Sequence, residues 1–255
     1  DELIKTLSTA KPSIGLVIMQ KTGLLETVFP EIDVMYDMDQ SPEWHHKDIF
    51  AHTLQVVDNA AKLTNKMEIR FAALVHDIAK PATRKIDPVK GYTFHGHDAI
   101  GERMLHKVAK RLRLSNQLAS YIKKLTLLHL RPIAIAKSEV SDSAVRRLMV
   151  AAGEEIEDLM TLCRADITTK NPNRVKRYLK NFDLVEEKMK TVMDKDSAKK
   201  FQSPIRGKEI MKIFKIKEGK PVGELKKSVE EAILEGVIEN TYDAAKQFLI
   251  DKKLS

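Results

Sequence analysis

Cysteine, aromatic residues and long apolar runs are all scarce in this sequence. The single cysteine, Cys163, cannot close a disulfide within the chain, which fits a reducing compartment and points to the cytoplasm. It also excludes a cysteine-built zinc ribbon. Apolar stretches are only a few residues long, far short of the roughly 20 residues a membrane span requires. The first residues, DELIKTLS, have neither a basic start nor an apolar stretch, so they are not a signal peptide. An initiating Met is missing as well, and the expectation is that the chain starts inside a longer protein. Strand signals are equally rare, with no alternating β-branched runs and no Asn-Gly or Asp-Gly hairpin turns.

What is present is helical periodicity. Apolar residues recur at three- and four-residue spacing almost throughout, predicting an all-α protein. The expected helices are 2–9, 12–21, 48–65, 67–79, 97–113, 115–129, 141–152, 154–169, 173–194, 207–214, 221–235 and 241–251. Ser115, Ser141 or Asp142, and Thr241 stand where N-caps belong, while Pro81, Pro132 and Pro172 punctuate ends. Breaks of different texture fall at 36–47, 81–95 and 195–206, and the first and last suggest domain boundaries. The chain has 44 Lys+Arg against 36 Asp+Glu, a formal charge of +8. That balance favours an anionic partner such as nucleic acid.

All eight histidines lie between residues 45 and 129. His76 and Asp77 flank the apolar stripe Phe71, Leu74, Val75 and Ile78, pointing to neighbouring sectors where both could reach one ion. Asp166 falls within the apolar side marked by Ile156, Leu159, Met160, Cys163 and Ile167. A buried carboxylate needs a partner, whether a distant Arg, a helix N-terminus or a metal. Two His and two Asp, namely His52, His76, Asp77 and Asp166, would leave positions open for water and substrate, as metal-assisted hydrolysis requires. His97 and His129 could hold a second ion or contact the phosphate. Lys80 shares the Asp77 face and is placed to touch a phosphate oxygen; its alternative role is to face the helix dipole. Trp44 and Tyr92 are candidates for base stacking or for covering the core.

The order His52, His76-Asp77, Asp166 resembles the signature of the HD-domain superfamily of metal-dependent phosphohydrolases. The segments "KDIFAHTLQVVDNA", "FAALVHDIAKP", "FHGHDAIGERML" and "LHLRP" resemble the corresponding HD segments, with His97 and His129 at the auxiliary histidines. The flanks narrow the likeness. "DELIKTLSTAKPSIGLVIMQKTGLLETVFPEI" is similar to the end of the RNA-binding neck of bacterial tRNA nucleotidyltransferases and poly(A) polymerases, and "GKEIMKIFKIKEGKPVGELKKSVEEAILEGVIENTYDAAKQFL" to their C-terminal body and tail. The resemblance implies a neck end at 1–40, an HD domain at 41–170 and a tRNA-binding body at 171–255. It also implies catalytic roles for His76, Asp77 and Lys80 and a divalent ion, Mg²⁺, Mn²⁺, Ni²⁺ or Zn²⁺, at the HD site.

The family's nucleotide-adding head carries a Gly-Ser turn with paired Asp residues holding Mg²⁺ against ATP or CTP. That motif does not occur here, nor does the neck's Glu-Asp-x-x-Arg motif. The expectation is therefore a C-terminal portion that binds tRNA without itself adding nucleotides. Arg174, Lys176, Arg177, Lys180, Arg206, Lys208 and Lys212 are the candidate RNA contacts, since RNA duplexes are gripped mainly through backbone charge. A solvated face laced by charge pairs is the alternative for residues 170–200. A free-standing HD phosphohydrolase and a non-catalytic HD scaffold are the alternatives for the whole chain.

Overall fold

The computed structural model describes residues 2–38, 48–89, 91–137, 141–195 and 203–254; Trp44, His45 and His46 lie outside them. Apart from one hairpin, the regular elements among the described residues are helices. Packing divides them into two units, residues 1–138 with 152–184 and residues 139–151 with 185–255.

In the first unit, α1 (Glu2–Ser8), α2 (Pro12–Lys21), α3 (Leu24–Val28) and α4 (Pro30–Asp33) precede α5 (Ile49–Leu63) and α6 (Met67–Val75). α6 is the hub, because Ile69 to Val75 are all buried. A helix apolar on every side must be surrounded, and α1, α5, α9 (Asn116–Leu128) and α12 (Ile156–Ala165) pack around it. Each of Phe71, Leu74 and Val75 contributes roughly 1.5–3 kcal/mol by leaving water. The one charge in this helix's buried stretch, Arg70, is 4% exposed. Its guanidinium donates to the carbonyls of Leu7, Thr9, Ala61 and Thr64 and to the Asn65 side chain. These bonds satisfy the buried cation and tie the end of α1 to the α5–α6 connection. Asp58 similarly accepts from the Ser13 amide at 2.9 Å and its hydroxyl at 2.7 Å. The boundaries proposed at 40/41 and 170/171 thus concern sequence segments, while the compact units follow side-chain packing.

α7 (Lys80–Thr83), the strands β1 (Lys85–Asp87) and β2 (Gly91–Thr93), α8 (His97–Arg111) and α10 (Leu130–Lys137) complete the region around the site. β1 and β2 pair antiparallel, with Ile86 opposite Tyr92. Three-residue strands are too short to show alternation, so the sequence carried no signal for them. Nor did it predict α3, α4, α7 or α10. Pro132 reads as a stop, but it sits in the first turn of α10, where a proline costs no helix hydrogen bond. The expected helix 67–79 ends at Val75, and 154–169 ends at Ala165. Residues 76–79 form a turn instead, closed by Ile78 N–H to Val75 O and Lys80 N–H to Asp77 O. Caps follow the sequence expectation: the hydroxyls of Ser115, Ser141 and Thr241 accept from the amides of Leu118, Ala144 and Ala244.

In the second unit, α14 (Gly207–Phe214), α15 (Lys220–Leu234) and α16 (Tyr242–Leu254) bury Ile210, Val222, Val229, Ile233, Ala245 and Leu249 around Ile205. α11 (Asp142–Ala152) adds an Arg147–Glu235 pair and a Lys188–Asp142 pair of 2.6 Å. α13 (Pro172–Lys195) contributes its first half to one unit and its second half to the other. No described helix is long and apolar enough to cross a membrane.

Candidate metal centre

Three helix C-termini supply the site. His76 is the C-cap of α6, His129 of α9 and Asp166 of α12. Each terminus carries partial negative charge from its unpaired carbonyls, favouring a cation by about 0.3–1 kcal/mol. His52 comes from the first turn of α5 and His97 from the start of α8. α8 reaches α9 closely because of Gly101, where a Cβ would lie 3.0 Å from Thr126 Cγ2 and 3.3 Å from Ile78 Cγ2. A side chain there would push His97 away from His129.

Asp77 sits at the centre, 2% exposed. Its Oδ2 lies 3.4 Å from His52 Nε2, 3.1 Å from His76 Nε2 and 2.6 Å from Lys80 Nζ. Its Oδ1 faces the other way, 3.2 Å from His97 Nε2 and 3.8 Å from His129 Nε2. Asp166 Oδ1 lies 3.0 Å from His52 Nε2 and 3.5 Å from His76 Nε2. Nitrogen and oxygen therefore alternate around a ring of His52, Asp77, His76 and Asp166.

Two observations test whether this ring fits a divalent ion. Ligands about 2.1 Å from one ion stand about 3.0 Å apart at right angles and about 3.4 Å apart in a tetrahedron, and the ring edges run from 3.0 to 3.5 Å. His76 Nε2, Asp77 Oδ2 and Asp166 Oδ1 are also buried without a well-formed hydrogen bond. These three atoms border one shared space, with His52 Nε2 on its fourth side. The groups whose ligand atoms approach a common point are His52/His76/Asp77 and Asp77/His97/His129, with Asp166 closing the ring beside the first. The donor set fits a divalent transition ion, and these residues are adequate to hold it.

The far side of each ring is also fixed. Nδ1 of His76, His97 and His129 lies 2.8, 2.7 and 2.6 Å from the carbonyl oxygen three residues earlier, those of Ala73, Phe94 and Thr126. A carbonyl accepts only, so each Nδ1 carries a hydrogen and Nε2 is left to face the centre. His52 Nδ1 is 3.1 Å from the Thr168 hydroxyl. Such partners hold the orientation of a ligating imidazole.

Charge without an ion is balanced by protons. Burial alone would lower His76, yet Asp77 and Asp166 raise it to about 10. His52 is raised against the same burial effect by Asp166 and Asp77. Burial would raise both carboxyls, but the imidazoles hold Asp166, and the imidazoles with Lys80 hold Asp77, below the usual carboxylate range. His129 goes the other way, pushed down to about 4 by burial and by the His76 charge, and so is neutral at pH 7.

Lys80, placed by sequence on the Asp77 face, is ion-paired to Asp77 and lies 5.6 Å over the Phe94 ring. Asp166 is held by two imidazoles, and its neighbour Arg164 pairs with Asp183 instead. Tyr92 lies under the Arg84 guanidinium at 3.8 Å. Arg174, Lys176, Arg177 and Lys180 are on α13, and Arg206, Lys208 and Lys212 are at α14 in the second unit. Sequence reasoning missed Thr168, Gly101 and the three carbonyls. Only the recurrence of a histidine at a helix end could have hinted at the carbonyls.

A fold of this kind, with paired His and Asp at helix ends, matches a known domain class. Residues 49–171 match the family model described as HD domain. Residues 1–36 match the model described as the probable RNA and SrmB-binding site of polymerase A. Among curated proteins, the chain is 30% identical to the "Multifunctional CCA protein" of Vibrio campbellii, over 64% of this chain and 40% of the relative. It is 28% identical to the "CC-adding tRNA nucleotidyltransferase" of Thermus thermophilus, over 98% of the chain and 55% of the relative. The "A-adding tRNA nucleotidyltransferase" of Deinococcus radiodurans is 27% identical, over 91% and 53% respectively. The chain thus spans about half the length of the curated relatives it matches. Its relatives are tRNA nucleotidyltransferases, and the chain is similar to an HD-containing portion of them.

Proposed function

We propose that His52, His76, Asp77 and Asp166 hold a divalent ion and that this centre hydrolyses phosphate esters, phosphomonoesters or 2′,3′-cyclic phosphates, at RNA ends. The observation that carries this reading is the ring of imidazole and carboxylate atoms 3.0–3.5 Å apart, three of them buried without a well-formed hydrogen bond. A bound divalent ion supplies acidity to water and neutralises charge on a phosphoryl oxygen. The protein's own part is positioning. Asp77 sets His52 and His76 on one side and His97 and His129 on the other. Lys80 has three donor hydrogens, so it can keep Asp77 and still offer one to a phosphate oxygen. His129, neutral at pH 7, can accept a proton or a hydrogen bond at Nε2.

Metal analysis of the purified protein, followed by assay of a generic phosphodiester with wild type and Asp77→Ala, tests the reading. We expect bound divalent metal and metal-dependent turnover in the wild type only. Absence of both would leave the HD region a scaffold.

A second reading concerns tRNA. The match of residues 1–36 to an RNA-binding family model and the basic residues of α13 and α14 support binding of tRNA through phosphate contacts. What the relatives' names ascribe to them, addition of CC or of A to tRNA, is proposed for an enzyme of which these residues would form part. Mg²⁺ and CTP or ATP would act at a head domain that these 255 residues do not include. A salt-dependent tRNA binding curve checks the binding; a slope near zero would exclude phosphate contacts.

A further inference from the structure

Asp166, Thr168 and Lys170 lie in one short connection between α12 and α13. Asp166 belongs to the ring, Thr168 holds His52, and Lys170 lines a groove of about 660 Å³ along the first turns of α13. Four residues span at most about 14 Å, so the backbone of Lys170, where the groove lining starts, lies within that distance of the backbone of Asp166. Both lie in the same compact unit.

The groove has a chemistry of its own. Val175 and Leu179 form an apolar floor, and Lys170, Lys176 and Lys180 line it as well. Lys176 and Lys180 are one helical turn apart, about 6 Å along the axis, within reach of successive phosphates of a single strand. Asp183 is the one acidic residue in the lining, and its carboxylate is held at 2.7 Å by Arg164. The groove therefore offers a surplus of positive charge over an apolar strip. That combination suits a single-stranded polynucleotide, whose phosphates take the lysines while a base or ribose covers the apolar floor.

We infer that this groove seats the strand leading into the candidate centre, so that the substrate is the end of a single-stranded RNA rather than a free nucleotide. The inference rests on the phosphohydrolase reading above and adds the path by which an RNA end reaches the centre, as a single strand along α13. An acidic protein segment would be the competing occupant, but the groove's spacing and its adjacency to a phosphate-directed site favour RNA.

The test uses the full chain, with Lys176→Glu/Lys180→Glu and the milder Lys176→Ala/Lys180→Ala as variants. Lys226→Glu/Lys227→Glu, on α15, is the control for added negative charge. Probes are a short single-stranded RNA ending in a 2′,3′-cyclic phosphate and the small diester bis(p-nitrophenyl) phosphate. We expect the groove reversals to weaken RNA binding roughly tenfold and to reduce the logarithmic salt slope by about 1.4, or 0.7 for each phosphate no longer neutralised. The ratio of kcat/KM on RNA to that on the small diester should fall by a similar factor, through KM. An unchanged ratio with continued turnover of the small diester would overturn this inference alone. No metal-dependent turnover of either substrate would overturn it together with the phosphohydrolase reading. RNA affinity unaffected by the groove variants, with binding of a poly-glutamate peptide abolished in them, would assign the groove to a protein partner instead.

Discussion

Loading the centre with a divalent ion should expel protons, and the number follows from the geometry. Without metal, His76 is raised to about 10 by Asp77 and Asp166 against its burial, so at pH 7 it carries a full proton on the Nε2 that faces the ring. His52 is raised by the same two carboxylates and adds a further fraction. Metal must take the place of these protons, because a ligating imidazole is neutral. One to two protons should therefore leave per ion bound at pH 7. Each released proton makes the affinity rise about tenfold per pH unit, so from pH 6.5 to 8.5 binding of Mn²⁺ or Ni²⁺ should tighten at least about a hundredfold. Titration calorimetry in buffers of different ionisation enthalpy counts the protons directly. The apoprotein should show the opposite trend in stability. The His76 pKa is above its unfolded value of 6.5, so its stabilising contribution is complete below that pH and is lost as pH rises through about 10. The apo Tm should fall over that window while the Tm increment produced by metal grows. Metal binding at pH 7 without proton release, or with the same affinity at both pH values, would refute the ring as the binding site.

Three further outcomes follow from particular contacts. Asp77→Asn leaves His52, His76 and Lys80 without their shared counter-charge, so the apoprotein should lose about 3–5 kcal/mol along with its metal; an unaltered denaturant midpoint would contradict the central position given to Asp77. Thr168→Val keeps the shape but removes the hydroxyl beside His52 Nδ1, and metal affinity should drop about 10–100-fold, with equal affinity by calorimetry counting against it. Arg70→Met strands the buried carbonyl of Leu7 and the half-buried one of Ala61 and should cost on the order of 3 kcal/mol, read from urea unfolding; a change within the error of that measurement would show the latch to be superfluous.

Much of the fold was legible in the sequence because it is local. Helix spacing, the caps at Ser115, Ser141 and Thr241, and the buried stripe of α6 depend on neighbours within a turn or two. α10 was missed because a proline reads as a terminator unless its place in the first turn is known, and the hairpin because three residues cannot display a period. The candidate site was legible by resemblance, and from periodicity only as a polar pair beside an apolar stripe. His76, Asp77 and Asp166 were expected on continuous helices but stand just beyond helix ends, where side chains of three helices can turn toward one point.

The sequence by itself determined which groups are available: the helical segments, the basic surplus, and a set of His, Asp and Lys residues that a metal-assisted chemistry would use. Tertiary structure alone decided their relations. Asp77 divides its two oxygens between two pairs of histidines, Lys80 is drawn to Asp77, Thr168 and three carbonyls orient the rings, and Gly101 lets α8 close on α9. The physical reason is range. Periodicity reports a residue's place on its own helix, whereas a metal centre is set by the separation of atoms from residues far apart in the chain, to within a few tenths of an ångström, and packing around α6 is what sets it.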